Sequence, residues 1–345
     1  MEILEFLKIR ILKIKMKIIE KYISTLILAI CIFASAGTVS AQQTPIYSQY
    51  MFNKFLLNPA VAGSEGYTAF NLTAREQWVG FKDAPATHAL SGQFRVSPRS
   101  WLARLHQVRS RNSGPTRISR VGLGCYLFND HRGLIDQTGF QLTYAYHIPM
   151  DEAQLSFGLS TSFVQFSVNK AKLRLEDSND PLVLNSSLNS ISPDFSVGAY
   201  YTAMDWYLGF SGVQLLQSAL KFGDVGASSF IQHRHYYLMG GYRFSLDRDY
   251  SIEPSAFFKS TEQFANQLDL GARVYYKNDY WGGLAFRTGG WAILTAGMRY
   301  DRFYFGYSFD YSFNTIQSHS YGSHEFMISY KFGMNVRQYK WLERY

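Results

Sequence analysis

Charge is scarce in this 345-residue chain: 17% of its residues are Asp, Glu, Lys or Arg, against about 25% in an ordinary soluble domain. Cysteine is scarcer still, at two residues. One of these, Cys31, lies in the apolar N-terminal run behind Ile30, where lipoprotein processing wants a small residue, so no lipid anchor is expected. That leaves Cys125 without an internal disulfide partner, and it reads as a small apolar strand residue. Beyond the N-terminal run, no segment is apolar enough for a membrane-spanning helix. Nucleophile elbows, phosphate loops and zinc-protease helices are also missing, so no catalytic, metal or cofactor site is expected, and the chain does not read as an enzyme. Of the net charge of +8, +3 lies in residues 1–41 and +5 on residues 42–345, and most of the basic residues there fall in separate strand-like segments, which argues against a nucleic-acid binder.

What the chain has in excess is aromatic: 25 Tyr and 27 Phe, with aromatics at 17%. A soluble core rarely needs so many. A sheet with one face in lipid, bounded by interfacial girdles, does. Period-two alternation recurs from Tyr67 almost to the end. In Phe303 to Phe313 every odd residue is aromatic, while the even ones are Tyr304, Gly306, Ser308, Asp310 and Ser312. A soluble sandwich would bury the aromatic face; a membrane barrel would bury the other one. The pattern predicts about fourteen strands, near 67–78, 86–96, 119–129, 137–148, 153–165, 194–203, 205–214, 233–245, 250–259, 266–276, 280–288, 291–300, 302–313 and 323–332. Their connections alternate in length. Short turns follow most even strands, and longer connections at 166–193, 215–232 and 314–322 follow odd ones. That is the arrangement of an all-β, transmembrane outer-membrane β-barrel of about fourteen antiparallel strands, with short turns in the periplasm and long loops at the cell surface. The exception is 97–118, which holds Arg99, Arg104, Arg109, Arg111 and Arg117 and no acid. It reads either as a basic insertion or as a docking loop for an acidic partner.

The N-terminus reads as a secretory signal. Lys17 and Lys21 precede an apolar run from Ile23 to Phe33, and Val39-Ser40-Ala41 fits a small-x-small cleavage site. Met16 reads as an alternative start. The expected organisation is signal peptide 1–41, N-terminal periplasmic or plug segment 42–66, barrel 67–332 and periplasmic tail 333–345.

On the expected lumen face, Arg75, Arg95, Arg243, Arg273, Arg299 and Lys331 alternate with outward residues, as do Glu253, Asp269, Asp310 and Glu325. Charges of both signs in a low-dielectric interior must pair, so the lumen is expected to be cross-linked or plugged.

Three stretches carry a family resemblance: SQYMFNKFLLNPAVAGS (Ser48 to Ser64), REQWVGFKDAPATH (Arg75 to His88) and GLGCYLFNDHRGLIDQTGFQLTYAYHI (Gly122 to Ile148), with PDFSVGAYY (Pro193 to Tyr201) later. The chain resembles the PorP/SprF family of outer-membrane proteins of the type IX secretion system. The resemblance implies a role in secretion or cell-surface anchoring of a cargo protein such as a gliding adhesin. The implied partners are the C-terminal domain of that cargo, other secretion-system components and outer-membrane lipid. The Arg-rich 97–118 connection departs from the family pattern. Asn58-Pro59-Ala60 is similar to the Asn-Pro-Ala element in the plug of FadL-like barrels, whose activity, transport of hydrophobic molecules, is the alternative reading. Pro254 in the ninth strand is the candidate kink for the lateral gap such a transporter needs.

Residues 45–64 are therefore expected to plug the periplasmic mouth, with Tyr50, Phe52, Asn53, Asn58 and Pro59 as plug residues. Tyr50, Phe52, Phe55 and Leu56 are expected to form a short amphipathic helix before Pro59. Gln77, Trp78 and Phe81 at the first outward turn are candidates for partner contact, or else members of the interfacial girdle. His233 and His235 share a strand face but lack a third metal ligand. His319-Ser320 falls in an outer loop rather than on a lipid-facing wall, where a lipolytic site would lie.

Overall fold

The alternation decides which face looks inward. Along Phe303–Ser312 the residues Gly306, Ser308, Asp310 and Ser312 are buried, while Phe303, Phe305 and Tyr311 are exposed. This is the reverse of a soluble sheet, and it holds around the whole wall. The computed structural model describes residues 47–96, 120–168, 189–217, 219–220, 230–263 and 265–333.

Fourteen strands of the described residues form the wall. They are β1 (Thr68–Glu76), β2 (Ala86–Arg95), β3 (Val121–Arg132), β4 (Ile135–Pro149), β5 (Ala153–Val168), β6 (Asn189–Ala203) and β7 (Trp206–Val213). Then come β8 (His235–Tyr242, continued by Phe244–Ser245), β9 (Tyr250–Thr261), β10 (Gln267–Tyr276), β11 (Tyr280–Arg287), β12 (Trp291–Tyr300), β13 (Phe303–Ser312) and β14 (Ser323–Phe332). Each pairs antiparallel with its sequence neighbours. The ring closes between β1 and β14, from Thr68↔Phe332 to Glu76↔His324. Closure leaves no sheet edge, and every strand backbone in lipid is then satisfied by its neighbours.

One rim carries short turns. Lys277 and Asn278 both adopt positive φ, at 51° and 58°, and Asp279 donates to the Tyr276 carbonyl at 3.0 Å. These are the features of the tight turn that best matches strand twist. An aromatic girdle surrounds this rim: Trp206, Tyr242, Tyr250, Tyr280 and Tyr300 are all exposed at strand ends. The opposite rim carries longer connections, among them 77–85 and 313–322.

Some boundaries differ from the sequence expectation. β3 and β4 run further and meet at a two-residue turn, Gly133-Leu134, because their ladder continues to Arg132↔Ile135. β6 starts at Asn189 rather than 194, since it pairs with the extended β5 as far as Ser167↔Asn189. Pro254 opens no gap. The pairs Gly241↔Ser255 and Phe244↔Ile252 share one register. Pairing lapses only beside Pro254, which has no N–H to give. The expected signal segment, the Arg-rich 97–118 connection, residues 169–188 and the tail from 334 lie outside the described residues.

Candidate functional site

A lumen face this polar needs internal partners, because a buried unpaired charge is expensive. The wall supplies them in a chain. Arg75 of β1 contacts Asp310 of β13 at 2.7 Å and Glu325 of β14 at 3.1 Å. Arg287 at the end of β11 pairs with Asp269 of β10 at 2.9 Å and reaches Asp310 at 3.7 Å. Asp269, Arg287, Asp310, Arg75 and Glu325 thus form one alternating ion chain across five strands, each residue at least nine-tenths buried. A second pair joins Arg273 to Glu253 at 3.1 Å. A third joins Lys331 of β14 to Glu65 at 3.0 Å.

The segment before β1 threads through this interior. Ser48 donates its hydroxyl to Asp310 at 2.6 Å, and its backbone N–H goes to Glu325 at 2.8 Å. The Gln49 backbone N–H reaches the same Glu325 carboxylate at 2.9 Å, and its side chain donates to the Glu325 carbonyl at 3.0 Å. These contacts lie at the long-loop ends of β1, β13 and β14. The segment therefore does not stop at the short-turn mouth, as the sequence suggested, but traverses the lumen from there. The carboxylates of the ion chain draw it in, because its N–H groups fill acceptor positions that the arginines leave.

The expected amphipathic helix is absent from the described segment. Two single 3₁₀ turns stand there instead, Lys54–Leu56 and Pro59–Val61. An amphipathic helix needs one wet face, and this segment has wall on every side: Phe55 and Ala60 are buried, and so are Asn53, Lys54 and Asn58. Asn58 caps the second turn by accepting from the Ala60 N–H at 2.9 Å. Its amide donates to the Ala199 and Phe210 carbonyls at 2.9 and 3.1 Å.

Glycines on β3, β5, β6 and β13 make room for the segment. A Cβ at Gly158 would stand 2.2 Å from the Ala60 nitrogen, and one at Gly198 would stand 2.1 Å from the Asn58 side-chain oxygen. Gly122 meets Ala62, Gly124 meets Phe55 and Gly306 meets Gln49 in the same way. Neutral bonds hold the same region. Ser211 donates to the Leu57 carbonyl at 2.6 Å, and His147 Nε2 lies 3.0 Å from the Ala62 carbonyl oxygen.

All five candidate plug residues lie in this segment. Tyr50 packs on Phe257 with ring centroids 4.7 Å apart, and Phe52 packs on Trp281 at 4.6 Å beneath the Arg273 guanidinium. Asn53 donates to Ser91 at 2.9 Å, and Pro59 opens the second turn. Of the candidate lumen charges, Arg75, Glu253, Asp269, Arg273, Asp310, Glu325 and Lys331 form the ion pairs above. Arg95 is buried against Gln154 at 2.7 Å. Arg299 stands at the short-turn rim over the Tyr304 ring, 5.6 Å from its centroid. Sequence reasoning missed Arg287, which falls inside the expected strand 280–288, and missed the buried Asp130 that binds Thr87 and Arg132.

At the long-loop rim, the turn after β1 is tied to the connection before β14. Val79 donates to the Gly322 carbonyl at 2.9 Å, and Tyr321 returns a bond to the Val79 carbonyl at 2.8 Å. Trp78 is half-buried, with its backbone N–H on Ser323 at 3.1 Å. Gln77 is half-buried too, its backbone N–H on the Pro85 carbonyl at 2.8 Å. Phe81 and Tyr321 are the exposed rings here, at 41% and 77%. His235 is buried with Nδ1 on the His233 carbonyl. Among the described residues no three His, Cys, Asp or Glu side chains form a metal-binding group.

Residues 39–330 match the family described as type IX secretion system membrane protein PorP/SprF. No curated protein matches the sequence. Among solved structures the chain is similar to the Pseudomonas putida toluene transporter TodX, at 10% identity and a TM-score of 0.44, covering 81% of this chain and 93% of that one. It is similar also to the Acinetobacter baumannii outer membrane protein Omp33, at 9% identity and a TM-score of 0.41, covering 78% and 99%. Similarity to the KdgM porin is at 10% identity and a TM-score of 0.38, covering 77% and 99%. Likeness at this level carries no functional implication.

Proposed function

Because the chain belongs to the PorP/SprF family of type IX secretion system membrane proteins, we propose that this outer-membrane barrel binds a secreted cargo protein by its C-terminal domain and so supports its secretion or its anchoring at the cell surface. The observation that carries this reading is the occupied lumen. Ser48 and Gln49 on one side and Asn58 to Ala62 on the other bind opposite walls of the barrel. A barrel filled in this way offers surfaces rather than a channel. In this reading the long-loop rim faces outward, the C-terminus is periplasmic, and other secretion-system components and outer-membrane lipid complete the surroundings. Loops on a rigid scaffold are free to carry recognition, and Phe81 with Tyr321 are the exposed rings best suited to anchor a partner, with the half-buried Gln77 and Trp78 of the same rim as further candidates.

The transporter alternative needs an open path or a gap in the wall, and the register across Pro254 is continuous. The test is recovery of the tagged barrel from its native membrane with identification of bound proteins, repeated on a Phe81→Ala, Tyr321→Ala variant. A stable interface buries roughly 1,200–2,000 Å², and losing a central ring costs about 2 kcal/mol or more. The variant should shed cargo into the medium at normal barrel abundance. Cargo retained at wild-type level by the variant would move the recognition surface elsewhere.

A further inference from the structure

The short-turn rim holds a cavity of about 150 Å³ between the lumen segment and the wall. Its described lining carries five cations, Lys54, Arg243, Arg273, Arg299 and Lys331, against two carboxylates, Glu65 and Glu253. Both carboxylates already pair, with Lys331 at 3.0 Å and with Arg273 at 3.1 Å. The lining also holds four rings, Phe52, Tyr275, Trp281 and Tyr304, together with Met51, Met327, Asn278 and Ser329. Arg243 stands 4.3 Å from the Tyr275 ring centroid, and Lys331 stands 4.8 Å from that of Tyr304. A ring beneath a cation offsets part of its charge; Arg243 also donates Nε to Ser251 at 3.0 Å and a terminal nitrogen to Asn278, and Arg299 donates Nε to the Asp301 carbonyl at 3.1 Å. Two buried donors of the lining also lack an acceptor, Arg273 Nε and Trp281 Nε1. Their residues are 4% and 5% exposed. A described lining with more cations than carboxylates, two buried donors without an acceptor and four aromatic rings therefore meet around one partly open space.

We propose that this cavity is a carboxylate-binding site. It takes a carboxylate on an aromatic or apolar stem, either a small organic anion or the C-terminal residue of a peptide. The guanidinium forks match the planar, two-oxygen geometry of a carboxylate, and the rings receive the stem. The site lies at the rim opposite the proposed cargo surface and stands independently of it.

The test uses the full-length purified barrel in detergent. Hydrocinnamate, hydrocinnamamide, acetyl-Gly-Gly-Phe with a free C-terminus, its C-terminal amide and inorganic phosphate are each titrated by calorimetry and tryptophan fluorescence. Both carboxylates should bind, and each amide should bind at least tenfold more weakly. Arg299→Gln and Arg243→Gln, at the rim and outside the buried ion chain, should each weaken binding at least fivefold while the heat-dependent gel shift of the folded barrel is unchanged. Trp281→Phe should lose the fluorescence response but keep the heat signal. Tighter binding of the peptide assigns a peptide terminus, and tighter binding of hydrocinnamate assigns a small anion. Equal binding of acid and amide, no binding of either acid at millimolar concentration by the folded barrel, phosphate as tight as hydrocinnamate, or affinity indifferent to both arginine substitutions would each overturn the proposal.

Discussion

The lumen segment meets two different walls. On β3 to β7 it is held by shape: glycines leave sockets for Asn58 to Ala62, and neutral bonds run to Ala199, Phe210, Ser211 and His147. On β1 and β10 to β14 it is held by charge, through Ser48 and Gln49 on the Asp310 and Glu325 carboxylates and Phe52 beneath Arg273. Each neutral bond contributes about 0.5–1.5 kcal/mol. Breaking one buried ion pair costs about 3–5 kcal/mol, because the charge left behind has no water to replace its partner. The shape side is therefore intolerant of volume, and the charge side is intolerant of imbalance.

Removing both sets of contacts gives the largest effect. Deletion of residues 45–64 should leave the strands paired and raise small-ion conductance in planar bilayers. Unchanged conductance from a barrel that still shows its heat-dependent gel shift would remove the plug assignment. Next is the charge side alone. Arg75→Met leaves Asp310 and Glu325 short of a cation and should cost about 3–5 kcal/mol, read as a lower temperature for the gel shift. Adding Glu325→Gln should recover part of that loss, and strictly additive losses would contradict the coupling. On the shape side, Gly158→Val drives side-chain volume into the backbone of Ala60. Overpacking of this kind costs about 1–3 kcal/mol, and it should raise conductance by displacing Asn58 to Ala62 while the ion chain stays intact. Gly282, where an added Cβ meets only the Thr295 oxygen at 3.9 Å, is the matched control: Gly282→Ala should stay within about 0.5 kcal/mol with unchanged conductance. The smallest effect belongs to the rim. Lys331→Gln breaks a pair outside the ion chain whose two side chains are each 14% exposed; it should cost less than the loss of Arg75, and less again at high salt.

The wall was legible in the sequence because period-two alternation is a local property: each strand states its two faces by itself. Phe303 to Phe313 announced an aromatic outer face, and closure then required the polar face to be the inner one. The charges that must pair were legible for the same reason, since Arg75, Asp310 and Glu325 all fall on inward positions. Which charge meets which was not. The contact between Arg75 and Asp310 spans 235 positions, and nothing near Arg287 in sequence marks it as the link between Asp269 and Asp310.

The lumen segment divides along the same line. Asn58-Pro59 predicted a break from local sterics, since proline restricts the residue before it to extended backbone, and Asn58 is extended, at φ −139° and ψ 114°. How deep the segment runs, and that its aromatic residues form no helix, depended on Glu325, Asp310 and five glycines on four distant strands. By itself the sequence determined the strands, their inward and outward faces and the backbone break at Pro59, because these follow from residues a few positions apart. Only the tertiary structure decided the ion pairing, the glycine sockets and the path through the lumen. Those arise where closure of the barrel brings residues hundreds of positions apart into one buried interior.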